Sequence, residues 1–482
     1  MDAPIPLPAD ASPLYLRLAA HYRRAIQSGQ LPPGQRMPSV RALTRQHGVS
    51  LATAVQACHR LEDEGWLVAR PRSGYFVQQP VRARMLPASE PDALHAPDPA
   101  QYLGIHDRVS DYLARCQRHP VRVNLAQAVA APGAYPAEGL KHAAQRALRL
   151  HPDLLVRPAP VQGEPGFRHL LARRALAMGL AASAEDILVV HGNTEALTLA
   201  LRAVAGPGDT VAVESPTYYG LLQVLESLGM KALEIPTSPH TGLSPEALEL
   251  ALRTQPGLRA LVVMPNLQNP LGCSMPAAHK ARLVEQCQQA GIALIEDDTY
   301  GPLADTPAPP AKAWDTEGWV IYCASLSKAL APGMRLGWMM GGRWHARLCM
   351  LKYAQSHPNE TLGQMAAAAF MGAGAHERQM GRLRGLLRQQ RERMADSVAQ
   401  HFPAGTRLTV PEGGLLLWVE LPPALSGQAL FEAALREGIR IAPGHLFTNS
   451  HRYDHALRLS CGHPHTPEVE AALHTLGRLA AR

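Results

Sequence analysis

Ser325-Leu326-Ser327-Lys328-Ala329-Leu330-Ala331-Pro332-Gly333-Met334-Arg335-Leu336-Gly337-Trp338 is the stretch from which the rest of the reading proceeds. One lysine stands behind two hydroxyl residues, after the strand-like run 319–323 and ahead of a Pro-Gly turn that delivers an arginine. An amine at a strand-to-loop junction is partly desolvated, which lowers its pKa and frees it to form a Schiff base. Ser325 and Arg335 suit a dianionic phosphate, the arginine through its planar fork. Taken alone, the pattern also fits a solvated lysine after a buried strand, so its neighbours must decide.

Working outward, apolar β-rich runs at 187–190, 210–214, 232–235, 260–264, 292–296, 319–323 and 335–340 alternate with helical ones. That pattern predicts a mostly parallel sheet covered on both faces, which collects ligands at the carboxyl ends of its strands. The chemistry-bearing residues fall there. Asn193 and Thr194 open a helix after the first strand, where backbone N–H groups and the threonine hydroxyl suit phosphate; an ordinary helix cap explains the pair equally. Tyr218 stands just past the next strand, and Asn269 lies in Pro265-Asn266-Leu267-Gln268-Asn269-Pro270-Leu271-Gly272. Ile295-Glu296-Asp297-Asp298-Thr299-Tyr300 puts three acids at a strand end, either as a solvated edge or as a counter-charge for a bound cation. The chain then reads as helical to about residue 401 and returns to short strands at 408–410, 415–420, 439–441 and 456–460, the last carrying Arg458.

Ser-x-Ser-Lys with its downstream arginine, Asn-Pro-x-Gly and Asp-x-x-Tyr resemble the motifs of the fold-type I pyridoxal 5′-phosphate (PLP) enzymes, the aspartate aminotransferase superfamily. The resemblance implies an α/β body with a smaller C-terminal α+β subdomain, and it implies roles. Lys328 would hold the coenzyme aldehyde as an imine and act as the catalytic residue, Tyr218 would stack on the pyridine ring, and Asp297 would pair with the ring nitrogen. Asn269 and Tyr300 would reach the phenolic oxygen; Asn193, Thr194, Ser325 and Arg335 would bind the phosphate. Arg458 would clamp an α-carboxylate as a two-pronged pair. The superfamily is dimeric, with sites at the subunit interface, so a homodimer is expected. Pro158 departs from the family, standing where relatives often place a tyrosine that reaches the other subunit's phosphate.

Residues 1–78 differ in character. They hold nine arginines and no lysine against five acids, a net +4 out of the whole chain's +7. An arginine-rich end on a nearly neutral body points to a polyanion. Leu14, Leu18, Tyr22 and Ile26 predict one helix; Ser39 caps a second over 40–47 and Ser50 a third over 51–64, whose Val55, Cys58 and Leu61 would face inward. Strands at 66–70 and 74–78 complete a winged helix-turn-helix. Gly34-x-Arg36-Met37-Pro38-Ser39-x-Arg41, Gly48-Val49-Ser50 and Glu64-Gly65-Trp66 are similar to the DNA-binding domain of GntR-type bacterial regulators. In that resemblance Arg36, Ser39 and Arg41 contact the DNA backbone, Ser50, Ala52 and Thr53 begin the groove-facing helix, and Arg72 with Gly74 forms the wing tip. Leu51 replaces the arginine that many relatives use to read guanine, which makes apolar contacts to thymine methyls more plausible.

Of the 482 residues, 46% are hydrophobic and 18% charged, enough for two or three domains. The reading divides the chain into a DNA-binding head (1–78), a flexible linker (79–119) with a short amphipathic helix around 105–113, and a PLP-binding body (120–482). Seven scattered cysteines without a CxxC pair argue for reduced thiols and against a metal site. With no secretory signal or membrane span, a cytoplasmic protein is expected. Head and body together resemble the MocR subfamily of GntR regulators. The implied function is a transcriptional regulator that senses an amine or amino acid effector through Lys328 and PLP; a working aminotransferase with an accessory DNA-binding domain is the alternative.

Overall fold

The computed structural model describes residues 13–70, 73–78, 85–92, 98–102 and 104–481. Two compact units divide the chain, one of Met1–Met85 with Asp396–Gln400 and the other of Leu86–Ala395 with His401–Arg482. In the first, α1 (Leu14–Gln27), α2 (Val40–His47) and α3 (Leu51–Asp63) precede an antiparallel hairpin of β1 (Leu67–Arg70) and β2 (Gly74–Val77). The hydroxyls of Ser39 and Ser50 accept the N–H groups of Ala42 and Thr53 at 3.2 and 3.1 Å, which starts α2 and α3 where the sequence predicts. Gly48 ends α2 at φ +64°, a left-handed turn that a side chain would strain. Leu18, Tyr22, Leu43, Cys58, Leu61 and Trp66 share one core. Val55 departs from the expectation: the buried stripe of α3 is Ala54, Ala57, Cys58 and Leu61, and at 3.6 residues per turn Val55 falls at its half-buried margin. The wing gains a third strand-like edge, because Gly34 and Met37 donate to Val77 and Tyr75 carbonyls and Val77 donates to Gln35.

In the second unit β3 (Leu86–Pro87), α4 (Ile105–Arg118), β4 (Val123–Asn124), α5 (Ala137–Leu150) and α6 (Pro165–Ala177) lead into the central sheet. Its strands are β5 (Ile187–Val190), β6 (Thr210–Ser215), β7 (Lys231–Ser238), β8 (Gly242–Leu243), β9 (Leu258–Val263), β10 (Ala293–Asp297), β11 (Val320–Ser325) and β12 (Gly337–Met340). Between them run α7 (Asn193–Val204), α8 (Tyr219–Ser227), α9 (Pro245–Thr254) and α10 (Ala277–Ala290). The spatial order is β5-β12-β11-β10-β9-β6-β7-β8. Pairings from β7 through β11 are parallel, while β12 is antiparallel to both neighbours and β8 to β7. Every residue of β10 and β11 is buried, as a sheet with no solvent face requires.

Helices α11 (His345–Gln355), α12 (Thr361–Met371) and α13 (Ala375–His401) follow, then β13 (Arg407–Leu408), β14 (Leu416–Glu420), α14 (Gly427–Arg436), β15 (Ile439–Arg440), β16 (Ala442–Pro443), β17 (Ala456–Ser460) and α15 (Pro467–Ala480). β16, β17, β14, β13 and β3 make a smaller sheet, and β15 pairs with β4.

Within the stretch 79–119, the amphipathic helix expected around 105–113 forms as α4, and parts of the segment ahead of it pair with the body. Residues 79–84, 93–97 and 103 lie outside the described residues, but Leu86–Pro87 pairs with Arg407–Leu408 and Gln101 bridges to Ala232. Ile105, Val109, Tyr112 and Cys116 bury one face of α4, and the Tyr112 ring stacks on Phe431 at 4.9 Å. Four apolar residues at helical spacing offset the entropy of ordering this segment, so in the structure the body begins at Leu86 rather than at 120.

Candidate functional site

Five loops leave the carboxyl ends of parallel strands and converge on one cavity of about 420 Å³. After β5 come Asn193 and Thr194, after β6 Tyr218, after β9 Asn269, after β10 Asp297 and Tyr300, and after β11 Ser325 and Lys328. Arg335 enters just before β12, and Arg458 from β17 of the smaller sheet closes the set. All ten residues line this cavity.

One end is a cup of donors. Gly192 turns at φ +80° into α7, leaving the first N–H groups of the helix without intrahelical acceptors. The Arg335 guanidinium lies across this turn, donating to Ser327 Oγ at 3.3 Å, and no acid among the described residues pairs with it. The Ser325 hydroxyl oxygen accepts the Ser327 N–H at 3.1 Å, so its proton remains to be donated. Arg335 itself sits at φ +50°, a left-handed conformation that costs an ordinary residue about 1–3 kcal/mol and is held where geometry matters. A Cβ on Gly192 would stand 2.7 Å from Arg335 Nη2. Gly192→Ala is therefore expected to displace that guanidinium at a cost of roughly 1–3 kcal/mol and to weaken coenzyme binding about tenfold or more, readable by titrating the apo-protein with PLP.

The three-acid run separates by strand alternation. Glu296 accepts the N–H groups of Ala311 and Lys312 at 2.7 and 2.8 Å, and Asp298 accepts the Tyr322 O–H at 2.7 Å; both serve the fold. Only Asp297 lines the cavity. Burial raises its pKa, opposed by hydrogen bonds from Thr299 and Asn193 and by the charge of Lys328. A buried carboxyl at the cavity floor with no ion-pair partner among the described residues is suited to a cationic ring nitrogen. Lys328 is lowered to about 8, first by burial and then by repulsion from Arg458 and Arg335. Burial likewise pushes the Tyr218 phenol up to about 12 and raises Tyr300, so both are neutral donors at neutral pH.

Arg458 is fully buried. Its Nη1 donates to Asn269 Oδ1 at 2.8 Å and its Nη2 to the Ala126 carbonyl, which orients the Asn269 amide with its NH2 left to donate. The cavity also takes in Ser327, Tyr219, Tyr112, Asn124 and Arg440, which the sequence reading did not assign. Ser327 stood in the decisive stretch and was legible there. Tyr112 and Asn124 come from a helix and a two-residue strand that carry no local motif.

In the first unit, Arg36, Ser39, Arg41, Ser50, Ala52 and Gly74 are exposed, Thr53 is half-buried, and Arg72 lies outside the described residues. The Arg36 guanidinium lies beside the wing, 3.7 Å from where a Cβ on Gly74 would stand. Ser39 and Ser50 use their oxygens as helix caps, and the Ser50 hydroxyl also shares a hydrogen bond of 2.8 Å with that of Thr53. Gln56 and His59 are exposed at i+4 and i+7 from Ala52 and extend its face of α3, an assignment that the motif alone does not make.

A lysine, an acid and an arginine at the strand ends of a parallel sheet define an aminotransferase-type fold, here in a chain that also builds a winged helix. The family model for aminotransferase class I and II matches residues 131–476, and that for bacterial regulatory proteins of the gntR family matches residues 14–77. The HTH-type transcriptional regulator YjiR of Escherichia coli is 37% identical over 97% of this chain and 99% of its own length; YdcR of the same organism is 33% identical over 96% and 98%. A kynurenine aminotransferase from Pyrococcus horikoshii, solved in complex with PMP, superposes with a TM-score of 0.72 at 26% identity, covering 78% of this chain and 94% of that one. The chain belongs to the aminotransferase class I and II family and, with its gntR head, to the MocR subfamily of regulators.

Proposed function

We propose that this protein is a DNA-binding transcriptional regulator that holds pyridoxal 5′-phosphate at Lys328 and responds to an amine or amino acid. The observation that carries the reading is the convergence of all ten residues on one cavity in a chain that also builds a GntR-type head. The residues fit the coenzyme. Asn193, Thr194, Ser325 and Arg335 would hold its phosphate, Asp297 would keep a proton on its ring nitrogen, Asn269 and Tyr300 would donate to its phenolic oxygen, and Tyr218 would cover a ring face. When bound, PLP supplies an aldehyde that captures primary amines. Lys328, lowered to about 8, would present a larger share of free amine for that capture than a solvated lysine, and Arg458 would orient a carboxylate beside it.

An effector shifts DNA affinity only by as much as it prefers one arrangement of the protein over another. A homodimer would carry two heads to paired half-sites. Among the described residues no helix is long and apolar enough to cross a membrane, and we place the regulator in the cytoplasm. Gel shifts with the upstream region of its own gene, with and without PLP and a panel of amino acids, test this; no dependence on either would count against it. Arg36→Ala is expected to weaken binding to all DNA sequences alike and to lower the slope of log affinity against log salt by about 1, since it removes one phosphate contact.

The complete set of coenzyme groups favours a second reading, a working aminotransferase with an accessory head. Rapid multiple turnover in steady-state transamination with an amino acid panel would establish that reading over pure sensing.

A further inference from the structure

One guanidinium lining the cavity, that of Arg440, has no role in holding its proposed contents. Beside Lys328 the cavity is lined by the guanidinium groups of Arg335, Arg440 and Arg458, and Asp297 is the sole acid there among the described residues. The phosphate would meet Arg335 and the helix end, an α-carboxylate would meet Arg458, and Asp297 would meet a ring nitrogen. Arg440 is left over. Among the described residues no carboxylate lies within ion-pair distance of it, and its one hydrogen bond runs from Nε to the Tyr112 hydroxyl at 3.0 Å. That hydroxyl in turn donates to the Ile441 carbonyl at 3.2 Å, so Tyr112 is satisfied both as donor and as acceptor. The Arg440 guanidinium lies 5.1 Å from the centre of the Tyr112 ring, which Phe431 holds by stacking. The fork is thus fixed at its Nε edge and free at its Nη edge, the form suited to a carboxylate. Ala442 pairs directly with Arg458 across β16 and β17, and Arg440, two residues earlier at the end of β15, lines the same cavity.

We propose that Arg440 receives a second anionic group of the effector, which is therefore an amino dicarboxylate, with its α-carboxylate at Arg458 and its side-chain carboxylate at Arg440. This rests on the reading of the Lys328 cavity as a site for PLP and an amine. Only an acid long enough to span both guanidinium groups satisfies the two together, and a neutral amide of the same shape leaves Arg440 desolvated and unanswered. Arg440 is then a specificity-determining residue, and the half-buried helix α4 contributes to recognition through Tyr112.

The test uses the full-length protein loaded with PLP and compares L-glutamate with its isostere L-glutamine by calorimetry and by the change in visible absorbance. The parent is expected to prefer glutamate by about tenfold to hundredfold, the effect of one charged hydrogen-bonding pair. Arg440→Gln should bring that ratio to near one, and Arg440→Lys should restore part of it. A role for Arg440 confined to bracing Tyr112 would leave the ratio unchanged in Arg440→Gln, and that result overturns the inference. Equal binding of the two ligands by the parent overturns it as well, while a visible band in the resting protein leaves the PLP reading standing. Absence of the band removes both.

Discussion

Lys328→Ala is expected to abolish the visible absorbance that appears when the protein is supplied with PLP, together with any response to an amine effector. Among the described residues no other primary amine lines the cavity, so the loss should be complete rather than partial. The reaction of the apo-protein with PLP should also have a distinctive pH dependence. A lysine lowered to about 8 is roughly one-tenth free base at pH 7, whereas one at 10.5 is free in about one part in 3000. Because the free amine is the nucleophile, the rate of capture should rise with pH and level off just above 8. Stopped-flow mixing from pH 6 to 10 reads this directly. A rate still climbing at pH 10 would show an ordinary solvated lysine and remove the argument from burial and the two arginines.

The second large effect belongs to Asp297. Asp297→Asn keeps the shape and the acceptor oxygen but removes the counter-charge for a ring nitrogen at the cavity floor. Leaving one member of a buried ion pair alone costs about 3–5 kcal/mol, so coenzyme affinity should fall roughly 100- to 3000-fold. Asp298→Asn is the control one residue away. Its carboxyl faces Tyr322 and Asn266, not the cavity, and the change should lower stability by about 1–3 kcal/mol with coenzyme affinity retained. Equal losses of affinity in the two variants would mean that strand alternation has not separated their roles. Urea unfolding and PLP titration together distinguish these outcomes.

The sheet and the residues that line its cavity were legible because each depends on local order along the chain. A buried parallel strand announces itself as an unbroken apolar run, and the loop at its carboxyl end carries the polar residues, as at Val320–Ser325 followed by Lys328. Caps such as Ser39 and Ser50 are equally local, since donor and acceptor are three residues apart. The choice among Glu296, Asp297 and Asp298 was suggested by a motif, but what the neighbouring acids do depends on Tyr322, Ala311 and Lys312, which lie outside the motif. The helix face of α3 was misplaced by one position at Val55, where a β-branched residue at the margin of the stripe looks as apolar as the alanines that are buried.

From its sequence alone, the chain specified a basic winged head and a mostly parallel body through periodicity and the spacing of neighbours, and by its resemblance to a family it named the side chains that would hold a phosphorylated aldehyde. Only the tertiary structure joined Tyr112 to Arg440, 328 positions away, and set that pair in the same wall as Arg458. The reason is physical: β15 and β4 align in parallel, α4 packs its apolar face on the body, and contacts between such distant segments are decided by how surfaces fit rather than by any pattern along the chain.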